Sequence, residues 1–103
     1  IVFYKLNGFI LSLYPSAELA NDIGIENNGG PFKQITLAIL LSSEKLVDQL
    51  FEELRKKKVK IVKPPQKAFW GGYSGYIADP ENNYWEIAFN PFIIMDDSGN
   101  VIA

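Results

Sequence analysis

The chain has no cysteine and no histidine among its 103 residues. Without cysteine there is no disulfide, no thiolate nucleophile and no Cys-ligated metal. The missing histidine excludes more, because it removes the commonest transition-metal ligand and the usual general base near neutral pH. Charge of either sign is also scarce in excess. The net charge is −2, which leaves no electrostatic footprint for nucleic acid. The one basic cluster, Lys56, Lys57 and Lys58, closes an expected helix, where cations suit the dipole, and reads as a solvated helix end. Long apolar runs are absent, as is any signal-peptide pattern at the start. No nucleic-acid or membrane partner is therefore expected, and the reading is of a soluble, cytoplasmic protein.

What is present is a core. A hydrophobic content of 48%, with 14% aromatic residues, suffices for one packed domain and argues against disorder. The first two β-rich runs, "IVFYKL" and "GFILSLYP", are separated by Asn7-Gly8, a strong hairpin signal. Phe9, Leu11 and Leu13 share one face of the second run, and Ile10, Ser12 and Tyr14 share the other. "SAELANDIG" predicts a short helical turn capped by Ser16. The stretch from Asn27 to Pro31 then reads as a linker, rich in residues that tolerate tight turns.

The next segment, "KQITLAILL", predicts a strand with Ile35, Leu37, Ile39 and Leu41 on an apolar face and Gln34, Thr36 and Ala38 on the opposite one. Ser42 or Ser43 caps a helix expected to run to about Lys58, with Leu46, Val47, Leu50, Phe51 and Leu54 as its buried stripe. "VKIVKPP" predicts a short strand ended by Pro64 and Pro65. "GYSGYIA" and "NYWEIAFN" predict a hairpin around "DPENN", with Asp79-Pro80 starting the reversal. On the last strand Tyr84, Glu86, Ala88 and Asn90 share one face. Trp85, Ile87 and Phe89 share the other, which is expected to meet the helix stripe. A weak internal echo pairs "NGFILSLYP" with "NYWEIAFNP" and sets Ser12 opposite Glu86. The tail after Pro91, "FIIMDDSGNVIA", is either an extra strand or an interface arm.

The run "KPPQKAFWGGYSGYIADPENNYWEIAFNP" closely resembles the end of a vicinal-oxygen-chelate domain, of the glyoxalase I, bleomycin-resistance and extradiol-dioxygenase group. The resemblance extends back through "FKQITLAILLSSEKLVDQLFEEL" and, more loosely, through "VFYKLNGFILSLYP". It implies an α+β fold of paired βαβββ modules, whose curved mixed sheets surround a cleft. The first module is incomplete in this chain: residues 1–26 would be its end, 27–31 the linker, 32–91 a complete second module and 92–103 a tail. On that pattern a strand, a helix and another strand would precede Ile1. Open strand edges favour a second chain, and the family often builds its cleft from paired modules, so a homodimer is expected.

The resemblance also places candidate ligands. Glu86 falls on the final-strand metal-ligand position, Gln34 on the first-strand position of the second module, and Ser12 on the closing-strand position of the first. One carboxylate, one amide and one hydroxyl are a depleted set for a transition metal. Asn82-Asn83 also stands where close relatives carry Gly-His. Glu86, Gln34, Thr36 and Ser12, with Trp70, Tyr73 and Tyr76 as an aromatic wall, are thus expected to contact a small-molecule ligand. Each has a plainer reading as well: a leftover carboxylate, polar sheet lining, or rings that fill the barrel end. No catalytic residue is assigned. The leading expectation is a cleft that grips a small organic molecule without a metal or other cofactor, similar to the antibiotic-sequestering branch. The alternative is a glyoxalase I-type lyase or isomerase, in which Glu86 would bind a divalent metal or act as base, helped by ligands from the missing strand or a partner chain. A third reading is a remnant of the fold that serves only in dimerisation.

Overall fold

A computed structural model describes residues 1–27 and 32–102. Most of the expected linker therefore lies outside the described residues. Strands β1 (Val2–Lys5) and β2 (Ile10–Leu13) form an antiparallel hairpin closed by the Leu6 amide on the Phe9 carbonyl, 2.8 Å. Gly8 supplies the left-handed residue of its turn, with φ 90°. Helix α1 (Ser16–Ile23) follows. It does not start on a Ser16 cap as expected: Pro15 holds the cap position without a side-chain bond, and Ser16 is the first helical residue. Proline suits that boundary because its fixed φ is compatible with helix entry and its missing N–H costs nothing there.

The remaining elements are β3 (Leu37–Leu40), α2 (Glu44–Lys56), β4 (Lys60–Lys67), β5 (Tyr73–Ala78) and β6 (Tyr84–Phe89). This is the strand–helix–strand–strand–strand order read from the sequence. The four strands make one mixed sheet in the order β3-β6-β5-β4, with β3 parallel to β6 and the other pairs antiparallel. The Ser43 hydroxyl accepts from the Leu46 amide to start α2, and Lys58 at φ 61° turns the chain out of it.

Each face of the sheet carries its own core. Under α2, Val47, Phe51 and Ile87 are fully or almost fully buried, with Leu50, Leu54, Ile61, Ile77 and Phe89 around them. Burial of each large side chain contributes about 1.5–3 kcal/mol. Leu46, expected in the buried stripe, is 41% exposed at the rim. On the opposite face Leu19, Ala20 and Ile23 of α1 pack against Phe32, Tyr76, Ala78 and Tyr84.

Two boundaries differ from expectation for local reasons. The strand predicted from Lys33 shrinks to Leu37–Leu40, because Gln34 takes a left-handed φ of 63°. The strand expected to stop at Pro64-Pro65 runs through both prolines to Lys67. It can do so because β4 is an edge strand whose register shifts between Ile61 and Lys63 and again between Lys63 and Gln66, so the prolines break no central ladder. After β6 the tail folds back in small bridges, Met95 to Val101 and Val101 to Gly8, and so touches the first hairpin. Among the described residues no helix is long and apolar enough to cross a membrane.

Candidate functional site

Glu86 sits in the middle of β6, on the face turned away from α2. Its register neighbours are Ala38 of β3 on one side and Tyr76 of β5 on the other. Along its own strand the same face carries Tyr84 and Ala88, and Ser74 is the partner of Ala88 on β5. Alanine at 38 and 88 keeps the sheet low on two sides of the carboxyl group. Tyr76, Ser74 and Glu86 form a polar strip beside them.

Helix α1 covers one end of this strip. Asp22 on its last turn accepts a 2.5 Å hydrogen bond from the Tyr76 hydroxyl, and the Lys63 ammonium donates to the Asp22 carbonyl at 2.7 Å. Burial pushes the Glu86 carboxyl above its usual pKa, and the Asp22 charge pushes the same way; the Ser74 and Tyr76 hydroxyls and the Lys63 cation act in the opposite sense. The Tyr76 phenol is raised by burial first, then by the Glu86 charge and the bond to Asp22. Tyr14, just before α1, is raised by its own burial and by Asp22, Glu18 and Glu86. The site thus holds two carboxyl groups, the half-buried Glu86 with its raised pKa and Asp22, together with two phenols, one hydroxyl and one ammonium.

Over this geometry lies a clear sequence signature. Residues 10–87 match the family model of the Glyoxalase/Bleomycin resistance protein/Dioxygenase superfamily. The chain belongs to this superfamily. It is similar over 98% of its length to a glyoxalase-related enzyme from Fulvimarina pelagi, at 34% identity and a TM-score of 0.63, and spans 72% of that protein. More distant solved structures share the fold. One is a glyoxalase/bleomycin resistance protein/dioxygenase from Nocardioides, with 24% identity, a TM-score of 0.52 and coverage of 84% of this chain and 59% of that one. Another is the lactoylglutathione lyase from Agrobacterium tumefaciens, with 19% identity, a TM-score of 0.51 and coverage of 85% and 66%. No curated protein matches.

Within the superfamily frame, the residues singled out from sequence separate. Glu86 and Tyr76 stand together as register partners. Gln34 does not join them, because the left-handed turn at its backbone leaves it exposed before β3 begins, and Ala38 takes the place beside Glu86. Thr36 spends its hydroxyl on the Tyr84 carbonyl at 2.5 Å. Ser12 lies exposed in the separate two-stranded sheet, paired with Phe3. The aromatic wall also divides. Tyr73 points to the α2 side, where its hydroxyl donates to Asp48 at 2.5 Å and its pKa is raised to about 12 by that bond. Trp70 lies over Gly72 and tilts against Phe92 with ring centres 6.5 Å apart. A side chain at Gly72 would collide with that indole, since a Cβ there would come within 2.1 Å of the ring.

Five contributors escaped the sequence reading: Tyr14, Asp22, Ala38, Lys63 and Ser74. Asp22 had one usable signal. On a helix it lies three residues beyond Leu19, which places it on the rim of the buried face.

The superfamily implies a divalent metal in some members, and the donors here do not make such a set. Among the described residues no three His, Cys, Asp or Glu side chains converge. Glu86 and Asp22 supply two carboxylates, and the groups between them are phenol and hydroxyl, which are weak ligands for the usual metals of such sites. Two surface hollows lie elsewhere. One opens at the start of β3 and β6, around Ile35, Leu37 and Trp85, and the other lies under the tail, around Leu40, Phe89 and Met95.

Proposed function

We propose that this protein binds a small organic molecule on the Glu86 face of its sheet, without a metal. The observation that carries this reading is the setting of Glu86: a half-buried carboxyl with Ala38 beside it on β3 and Ala88 two residues on along β6, in reach of Ser74 and Tyr76. A carboxyl group there, already in reach of two hydroxyls, can accept a hydrogen bond from a donor group of a ligand, and the small Ala38 and Ala88 add no bulk beside it. The antibiotic-sequestering branch of the superfamily is the nearest analogue in kind. We further propose that the working unit is a homodimer, supported by the apolar face of the β1–β2 hairpin, where Val2, Tyr4, Leu11 and Leu13 are each about half exposed.

The test is a thermal-shift screen of small organic molecules on wild type and Glu86→Gln, run beside elemental analysis with nickel, zinc, manganese and iron. An organic ligand that stabilises wild type and loses its effect in Glu86→Gln is the expected result. One equivalent of metal that vanishes in Glu86→Gln would overturn it in favour of a glyoxalase I-type lyase. Ligand binding that Glu86→Gln leaves undiminished would remove Glu86 from the site.

A further inference from the structure

We propose that α1 is a lid over the Glu86 face, latched shut through Asp22, an inference that rests on the small-molecule reading of that face and adds its regulation. Among the described residues both polar ties from the helix to the sheet run through this one residue: the Tyr76 hydroxyl to the Asp22 carboxylate, and the Lys63 ammonium to the Asp22 carbonyl. The two helices are held differently. Helix α2 has a side-chain cap and lies close along β4, β5 and β6. Helix α1 has no side-chain cap and meets the sheet mainly through Leu19, Ala20 and Ile23.

The two ends of α1 differ, although Tyr14 before it and Ile25 after it both pack against the same core. Pro15 sets a fixed corner before it. Gly24 follows in the left-handed region at φ 90°, and nothing lies within 4 Å of where its Cβ would stand. Its amide and that of Ile25 close the helix on the Ala20 carbonyl, at 2.9 and 3.0 Å, so a hinge here breaks two backbone hydrogen bonds but moves against no side chain at Gly24 itself. The three apolar residues under the helix make the closed form the resting state.

Tyr76 gives the latch its connection to the site. Its hydroxyl has one proton, and carboxyl groups lie on either side of it, Asp22 on the helix and Glu86 on the sheet. Donation to Asp22 holds the lid down. A ligand on the Glu86 face that accepts the Tyr76 proton withdraws it from Asp22 and releases the helix. By linkage, a change that releases the helix also favours such a ligand. The opening uncovers Tyr76, Ala78 and Tyr84, the sheet residues that α1 packs against, and Tyr76 is the register partner of Glu86.

The experiment is amide hydrogen exchange, with protection in Ser16–Ile23 compared with protection in Glu44–Lys56 of the same molecule. Tyr76→Phe keeps the ring in its core and removes only the hydroxyl. The expected result is exchange in α1 faster by about tenfold, the scale of one lost hydrogen bond to a charged group, with α2 unchanged. Asp22→Ala removes the same bond from the helix side and carries the same expectation, should Tyr76→Phe fail to fold. Unchanged exchange in α1 would overturn the latch. Equal acceleration of both helices would show that α1 is part of the global core, and would overturn the lid. These rates are read without any ligand, so a failed ligand screen leaves the lid standing, and a failed lid leaves the binding site standing.

Discussion

Ala38 of β3 stands directly beside Glu86 of β6, as register partners in the parallel pair of the sheet. The smallness of one sets the exposure of the other. Ala38→Leu should therefore cover the carboxyl and deepen its desolvation, driving its pKa further up. Carboxyl-carbon NMR of labelled glutamate checks this. Glu86 should titrate above the ordinary glutamate range in wild type, and higher again in Ala38→Leu. Ala38 is exposed, so the fold should lose no more than about 0.5 kcal/mol. A Glu86 midpoint that stays put would mean the space beside it is not what controls its charge.

Glu86→Gln should stabilise the protein at neutral pH and do little in acid. The folded pKa of Glu86 is raised. Its contribution is then fully present below the unfolded pKa and is lost as pH rises through the folded value. Above that value wild type holds an ionised, half-buried carboxylate, which glutamine replaces with a neutral group of similar shape. A gain of about 1 kcal/mol is a few degrees in Tm for a chain of this size. Melting curves from pH 4 to pH 8 should show the two proteins converging at the acid end and separating toward the alkaline end. The opposite order would mean that the Lys63 and hydroxyl interactions outweigh burial.

Much of this arrangement was legible in the residues, and the rest was hidden for definite reasons. The alternation of β6 put Glu86 opposite Ile87 and Phe89, and α2 does lie against those two. The α2 stripe was readable because thirteen helical residues repeat the pattern long enough to see. Helix α1, with eight residues, was too short to distinguish from a turn, so its role as a cover over Tyr76 and Tyr84 stayed out of sight. Gln34 looked like the partner of Glu86 because strand parity was carried back past Leu37, and a single left-handed residue breaks parity without leaving a pattern. Pro64 and Pro65 looked like a stop because position at the sheet edge is a property of the topology, not of the strand.

Gly75 is the point where backbone fit should be least forgiving. A Cβ there would lie 2.6 Å from the Lys63 carbonyl, 2.7 Å from the Phe51 ring and 2.8 Å from the Pro65 nitrogen. Two of those neighbours are backbone of β4 in its bulged stretch, which cannot swing aside as a side-chain tip can. Gly75→Ala should therefore cost about 3 kcal/mol or more, at the high end for overpacking, and push β4 away from β5. Chemical denaturation gives the loss. A variant as stable as wild type would mean that β4 yields easily at its prolines.

The hairpin offers the plainest test of assembly. Val2 faces Leu13 and Tyr4 faces Leu11 across β1 and β2, so all four share one side, and each is close to half exposed. An apolar face of this kind on a two-stranded sheet is marginal in water on its own and gains by meeting another sheet. If a second copy covers it, charges placed there must be buried unpaired in the dimer. The double change Leu11→Glu and Leu13→Glu should then convert a dimer to a monomer in sedimentation velocity, with far-UV dichroism little altered because neither residue belongs to the two cores under α1 and α2. A wild type that sediments as a monomer at micromolar concentration would rule out self-association through this face. A dimer that survives both glutamates would place its interface elsewhere, with the free edge of β3 as the next surface to examine.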